Sequence, residues 1–210
     1  MDIHPPHGSI HSWNDFLIQL GTITAGVLIA LSLEGVRETL RDRALVREAR
    51  ENIRRELGDN KRGIDGEIAK MNERAGQFDT TLRLTNDLLK TQQSDVHRFE
   101  LGFSFPTLSV ASWQTAERTG ALAHMDYAEV QKFANAYIAQ DFCVQQQRRA
   151  FDALSSALGI LTAAEGGDPT KASQAELERF RQQVITLRSV LFVEEQLARG
   201  LSETYTKTLE

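Results

Sequence analysis

Apolar residues recur along most of this chain at helical spacing, and the pattern changes character between its two ends. Over residues 16–33 there is no polar face. Ten strongly apolar residues, among them Phe16, Leu20, Ile23, Val27 and Leu31, occupy all sides of the helical wheel, and no charged residue interrupts them. A helix on the surface of a globular protein keeps one polar face, so this segment predicts a helix in apolar surroundings on every side. Eighteen residues rise about 27 Å as a helix, close to the ~30 Å hydrocarbon core of a bilayer. Thr22, Thr24 and Ser32 are tolerable there because their hydroxyls can bond the backbone of their own helix.

Beyond residue 33 the pattern becomes amphipathic. Val36 and Leu40, then Ala49, Ile53 and Leu57, recur at spacing four, and Gly58-Asp59-Asn60 reads as a break. A heptad follows, with Leu57, Ile64, Met71 and Phe78 in one series and Ile68, Ala75, Leu82 and Leu89 in the other. It predicts a helix over about 59–92. A second long helix begins at Asp126, with Glu129 completing a capping box. Its series are Val130, Tyr137, Val144, Phe151 and Leu158, and Phe133, Gln140, Gln147, Leu154 and Leu161. After a turn at Gly166, Gly167 and Pro169, Ser173 and Glu176 cap a third. Its series are Leu177, Val184, Leu191, Ala198 and Tyr205, and Phe180, Leu187, Glu194 and Leu201. Three helices with heptad seams predict an all-α fold, an antiparallel bundle with coiled-coil-like packing. The expected organisation is an N-terminal tail (1–15), a transmembrane helix (16–33), a juxtamembrane helix (34–57) and a helical bundle domain (58–210).

Residues 94–125 break the periodicity. Phe99, Phe103 and Phe105 surround Pro106, and ASWQTAERTG reads as a short helix stopped by Gly120. This connector is too apolar for a free linker, and is expected to fold over the bundle on Trp113 and the phenylalanines. Three polar residues, Gln140, Gln147 and Glu194, interrupt the apolar seams. With the last two helices antiparallel about a turn near 168, Glu194 falls opposite Cys143, between the two glutamines. An unpartnered buried carboxylate is costly, so a glutamine amide is expected to donate to it.

Charge orients the span. No Lys or Arg precedes residue 16, whereas Arg37, Arg41, Arg43, Arg47, Arg50, Arg54 and Arg55 follow it. The positive-inside rule then puts the N-terminus outside and the C-terminal domain in the cytoplasm. Trp13 stands where an interfacial anchor belongs. Thr22, Gly26 and Ala30, spaced by four, form a small-residue face on which two such helices can pack, so a homo-oligomer is expected in the bilayer. The net charge of −5 argues against nucleic acid as a partner.

Candidate chemistry is sparse. His4, His7 and His11 lie in a tail that holds them in no fixed geometry. Paired Glu-x-x-His motifs and phosphate-binding glycine loops are absent from the sequence. His97 and Glu100 stand in the reverse order and alone, and Cys143 has no histidine near it in sequence. No catalytic, cofactor-binding or metal residue is assigned, no cofactor is expected, and the chain is read as a non-enzyme.

Two stretches, LIALSLEGVRETLRDRALVREARENIRRELGDN and ASWQTAERTGALAHMDYAEVQKFANAY, resemble the anchor with its first helix and a second recurrent segment in a group of functionally uncharacterised bacterial membrane-anchored proteins. The likeness runs to about residue 140. It implies a bacterial inner-membrane protein with one transmembrane helix, and no activity. The expected role is a membrane-anchored helical-bundle scaffold or interaction protein with an unknown protein partner. The alternative is a sensory bundle that binds a small ligand.

Overall fold

The computed structural model describes residues 13–91, 99, 101–163 and 168–210. All of its regular elements are helical: α1 (Trp13–Thr91), α2 (Ala111–Arg118), α3 (Tyr127–Ala163) and α4 (Gln174–Leu209), with two short 3-10 turns at Ala121–His124 and Pro169–Lys171. The chain divides into two compact units, Met1–Glu48 and Ala49–Glu210. The second unit therefore takes in Ala49, Ile53 and Leu57, which the sequence pattern assigns to a juxtamembrane segment. No break occurs at Gly58-Asp59-Asn60, because α1 runs through it and Asn60 turns inward to hydrogen-bond Gln140.

In the first unit every residue from Trp13 to Arg41 is exposed. The hydroxyls of Thr22, Thr24 and Ser32 donate to the carbonyls of Ile18, Leu20 and Leu28 at 2.7–2.9 Å. The hydroxyls of this apolar stretch are thus satisfied within its own helix.

In the second unit, cross-helix pairs fix the directions. Arg50 meets Glu129, Glu56 meets Tyr137 and Asn60 meets Gln140, so numbering rises together and α1 runs parallel to α3. Asp65 meets Ser202, Arg74 meets Glu194 and Asp79 meets Arg188, so α4 runs antiparallel to α1. Tyr205 with Gln140, and Gln146 with the Val190 carbonyl, make α4 antiparallel to α3 as well. The antiparallel arrangement holds for α4 against both partners, while the α1–α3 pair is parallel.

That parallel pair requires the chain to travel back along the bundle before α3 begins, and the connector does this. Phe99 stacks on Phe180 at 5.1 Å and lies beside Thr80, Thr81 and Leu84 of α1. Phe103 and Phe105 then pass Arg74, Pro106 passes Gly63, and Ser109 reaches Asn60 and Glu56. Twenty helical residues rise about 30 Å, and ten extended residues cover about 33 Å, so a short extended strand matches a long helix. The expected packing anchors are in place, with Trp113 5.3 Å from Tyr137.

The core faces refine the heptads. On α4 every residue of both expected series is buried. On α1 the series from Leu57 to Phe78 is buried, but the second series is Ile53, Asn60, Glu67, Arg74, Thr81 and Leu88. Ile68, Leu82 and Leu89 are only half-buried, and Ala75 is exposed. On α3 the series from Phe133 to Leu161 holds. The second is Ala136, Cys143, Ala150 and Ala157, one residue before the larger Tyr137, Val144, Phe151 and Leu158. Small side chains on α3 leave room for large ones on α4: Ala150 and Ala157 share a core cluster with Phe180, Val184, Leu187 and Leu191.

Local signals account for the helix ends. Ser173 and Glu176 form the expected capping box. Asp126 caps α3 by accepting from the Ala128 and Glu129 amides at 2.9 and 3.2 Å, but the Glu129 carboxylate leaves the box to take Arg50 in a two-point ion pair at 2.6 and 2.7 Å. Gly120 stops α2 in the left-handed region, at φ 77°, where a side chain would clash with its own backbone. The turn glycines Gly166 and Gly167 lie outside the described residues.

Gly63 and Gly66 separate packing from propensity. A Cβ on Gly63 would meet the Pro106 ring at 3.0 Å, whereas one on Gly66 meets nothing within 4 Å. Gly63→Val should destabilise the bundle by about 1–3 kcal/mol through overpacking. Gly66→Ala should stabilise it by roughly 0.5–1 kcal/mol through helix propensity. Urea unfolding followed by circular dichroism measures both, and equal effects of the two changes would contradict the close approach of the connector.

Candidate functional site

Two polar layers cross the bundle core, and they differ in how well their hydrogen bonds are met. The first joins α1, the connector, α2, α3 and α4. Glu56 accepts the Tyr137 hydroxyl at 2.6 Å, the Ser109 hydroxyl at 2.6 Å and the Ser112 amide at 2.9 Å. Asn60 donates to the Ser109 carbonyl at 2.8 Å and accepts its amide at 2.9 Å, which grips the connector backbone from both sides. Gln140 donates to the same carbonyl at 3.1 Å and accepts from Asn60 and from the Tyr205 hydroxyl at 2.7 Å. Ser112 stands in the first turn of α2, whose own N-cap residue, Val110, makes no side-chain cap. Glu56 therefore caps α2 from another helix, with a negative charge at its positive end.

Burial opposes the Glu56 charge, but the Ser109, Tyr137 and Ser112 donors outweigh it and hold the carboxyl below the usual glutamate range. Burial and the Glu56 charge together push the Tyr137 phenol upward. Burial does the same to Tyr205, with Cys143 adding to it. Both tyrosines are thus firm donors and poor acids.

The second layer contains Glu67 and Arg74 of α1, Cys143 and Gln147 of α3, and Glu194 of α4, all buried. Arg74 pairs with Glu67 and lies beneath the Phe103 and Phe105 rings, 5.1 and 5.4 Å from their centroids. Its nearer approach to Glu194 is 3.9 Å, beyond a hydrogen bond. Glu194 has no exposed surface, and among the described residues neither of its oxygens has a hydrogen-bond donor. Burial raises its carboxyl above the ordinary range, while Arg74 and the neighbouring Gln147 amide pull the other way.

Glu194 and Cys143 do share this layer, as the turn arithmetic requires. Of the expected amide partners, Gln147 lies near enough to Glu194 to pull its carboxyl down, without a well-formed hydrogen bond to either oxygen. Gln147 donates to the Cys143 sulfur at 3.7 Å, and Gln140 is engaged with Ser109 in the other layer. Burial, with Glu194 adding to it, pushes the Cys143 thiol up to about 12, so at neutral pH it is a small apolar core residue and no nucleophile.

Sequence reasoning missed Glu67, Arg74, Glu56 and the two serines. A signal existed for the first two: counting in sevens from Ile53 reaches Asn60, Glu67, Arg74, Thr81 and Leu88. Ser109 and Ser112 carry no periodic signal, because a non-helical return strand delivers them.

An open cleft of about 170 Å³ lies between α1 and α4, with Arg74 in its wall beside Met71, Phe78, Arg188, Leu191 and Phe192. Arg188 is paired there with Asp79 at 2.8 Å. Among the described residues no group of three or more His, Cys, Asp or Glu is placed to hold a metal ion. His4, His7, His11, His97 and Glu100 lie outside the described residues. No protein-family model, curated protein or solved structure matches this chain.

The Glu56 layer should make the fold acid-labile. A carboxyl held low in the native state contributes stability above its unfolded value, lost as pH falls through the folded one. Glu56→Gln should be less stable than the parent protein by about 1–3 kcal/mol at pH 7, and should lose less on acidification from pH 6 to pH 3. Thermal melts across that range measure the difference, and parallel curves would contradict a charged Glu56 at the end of α2.

Proposed function

We propose that this chain is a bacterial inner-membrane protein, anchored by one transmembrane helix at residues 16–33 and carrying a cytoplasmic helical bundle that acts as a scaffold or interaction module. The observation that carries the reading is the apolar window in α1: 18 residues with a mean hydropathy of 2.0, none of it buried by the rest of the chain. An uncharged helix exposed on every side is unfavourable in water and favoured in lipid. The arginines that follow it support the orientation, and the likeness to the membrane-anchored group points the same way. A small-ligand sensory bundle is the second reading, favoured by the orphaned Glu194 in the core and the open cleft that shares Arg74 with its layer.

Carbonate extraction should leave the protein in the membrane pellet, and a reporter active only in the periplasm should stay silent when fused after Glu210. Release into the supernatant would remove the anchor, and a strong reporter signal would reverse the orientation.

The partner expected in the bilayer is a second copy, packed through Thr22, Gly26 and Ala30. Gly26 has open space around its Cα, as a lipid-facing or helix-facing position requires. A cysteine placed at Leu20 or Leu33, with Cys143 removed, should give a dimer on oxidation in native membranes, and Gly26→Ile should weaken it. Equal crosslinking in that variant would exclude this face.

A further inference from the structure

We propose that the Glu67–Arg74–Glu194 layer is a proton-binding site in the bundle core: Glu194 enters the fold as the neutral acid, and its ionisation loosens the packing of α1, α3 and α4 at that level. All three residues belong to the second unit, and their chemistry does not depend on the membrane anchor.

One guanidinium serves two carboxylates, and all three groups are buried: Glu67 at 4%, Arg74 at 8% and Glu194 at 0% exposed. Arg74 is committed to Glu67, and Phe103 and Phe105 close over it. Glu194 is left with the same cation at 3.9 Å and no donor to either oxygen among the described residues. A carboxylate removed from water without hydrogen bonds neutralises in preference to staying charged.

Burial and the like charges around Glu194 outweigh the two groups that favour its charged form. On α3 the facing groups are Cys143, itself uncharged, and Gln147, whose amide hydrogen bond goes to that sulfur and whose pull toward the charged form is outweighed by burial. On α4 the adjacent Glu195 adds a negative charge that disfavours a second one. On α1 the facing groups are Glu67, of like charge, and Arg74, the one cation in the layer. A single bound proton makes the layer neutral, with Glu67 and Arg74 as the ion pair and Glu194 as an uncharged acid. Loss of that proton leaves a net negative charge in the core.

The contrast with Glu56 shows that this follows from placement. Both carboxylates are buried, but Glu56 accepts three donors and Glu194 accepts none. The bundle therefore responds to pH in opposite senses at its two layers. The unfolded chain releases the Glu194 proton at the ordinary glutamate value, and the folded chain only at a higher pH. Between those two values folding takes up a proton, so the contribution of Glu194 to stability is whole below the unfolded value and is lost as pH rises toward the folded one.

The test uses the full chain in detergent micelles, labelled with carboxyl-carbon-13 glutamate and titrated by NMR, with Glu194→Gln identifying the resonance. Glu194 should titrate above the exposed glutamates. In the Glu67→Gln protein, where Arg74 no longer has to serve Glu67, its midpoint should fall. Thermal melts from pH 5 to pH 8.5 give a second readout: the parent protein should lose stability across this window, and Glu194→Gln should flatten the loss and melt higher at pH 8. Titration of Glu194 together with the exposed glutamates would overturn the proposal, as would an unchanged slope in Glu194→Gln. Should a variant fail to fold, the resonance of the parent protein that titrates late, or the absence of one, decides the matter.

Discussion

Two long helices that lie side by side and point the same way cannot be joined by a short turn. This constraint, imposed by the parallel α1–α3 pair, shapes the rest of the bundle. The chain must return along the part of α1 that packs in the bundle, and an extended strand does so in half the residues. A strand lying on a helical bundle has no ladder to satisfy its backbone. Asn60 and Gln140 supply what the Ser109 peptide lacks, and aromatic rings on Arg74 and Phe180 cover the remainder. Gly63 is where the strand passes closest to the helix. The polar layer near Glu56 and the glycine on α1 both serve to dock this connector.

Buried polar groups serve two ends in one seam. Around Glu56 every named group has a partner on a different element, and such a network specifies one arrangement of helices because a slipped register would leave donors and acceptors buried and unpaired. Around Glu194 the opposite holds, and the carboxylate has proximity to a cation without a bond to it. Replacing both layers with leucine would affect them in opposite directions. The first would release the connector, and the second would remove a desolvation penalty that nothing offsets in full.

The long helices were legible because their faces are long and periodic. Leu177 through Tyr205 can be read directly as the core of α4. On α1 and α3 the eye follows bulk, and bulk misleads. The true second series on α3 is alanine and cysteine, chosen for their small size, and of the larger residues one place later only Tyr137 is buried, while Val144, Phe151 and Leu158 lie at the margin. On α1 the true series is polar: Glu67 and Arg74 pair with each other along the helix, while Asn60 is tolerated in the core by virtue of partners far away in sequence. Those partners arrive through tertiary structure, so no local pattern announces them. The direction of α1 relative to α3 was illegible for the same reason: a stretch without periodicity does not disclose that it is a return strand.

The capping of α2 by a residue on another helix has a kinetic consequence. Eight residues are too few for a helix that persists alone, and α2 lacks a cap of its own. Its first-turn amide waits for Glu56, fifty-six positions earlier in the chain. The helix can therefore complete only after α1 is formed and the connector has closed a long loop upon it, which places α2 after the long helices in folding and before them in local opening. Weakening this cap should chiefly hasten unfolding and leave the rate of folding almost untouched. The segment containing Trp113 would then become accessible to a protease while the long helices beneath it are still intact.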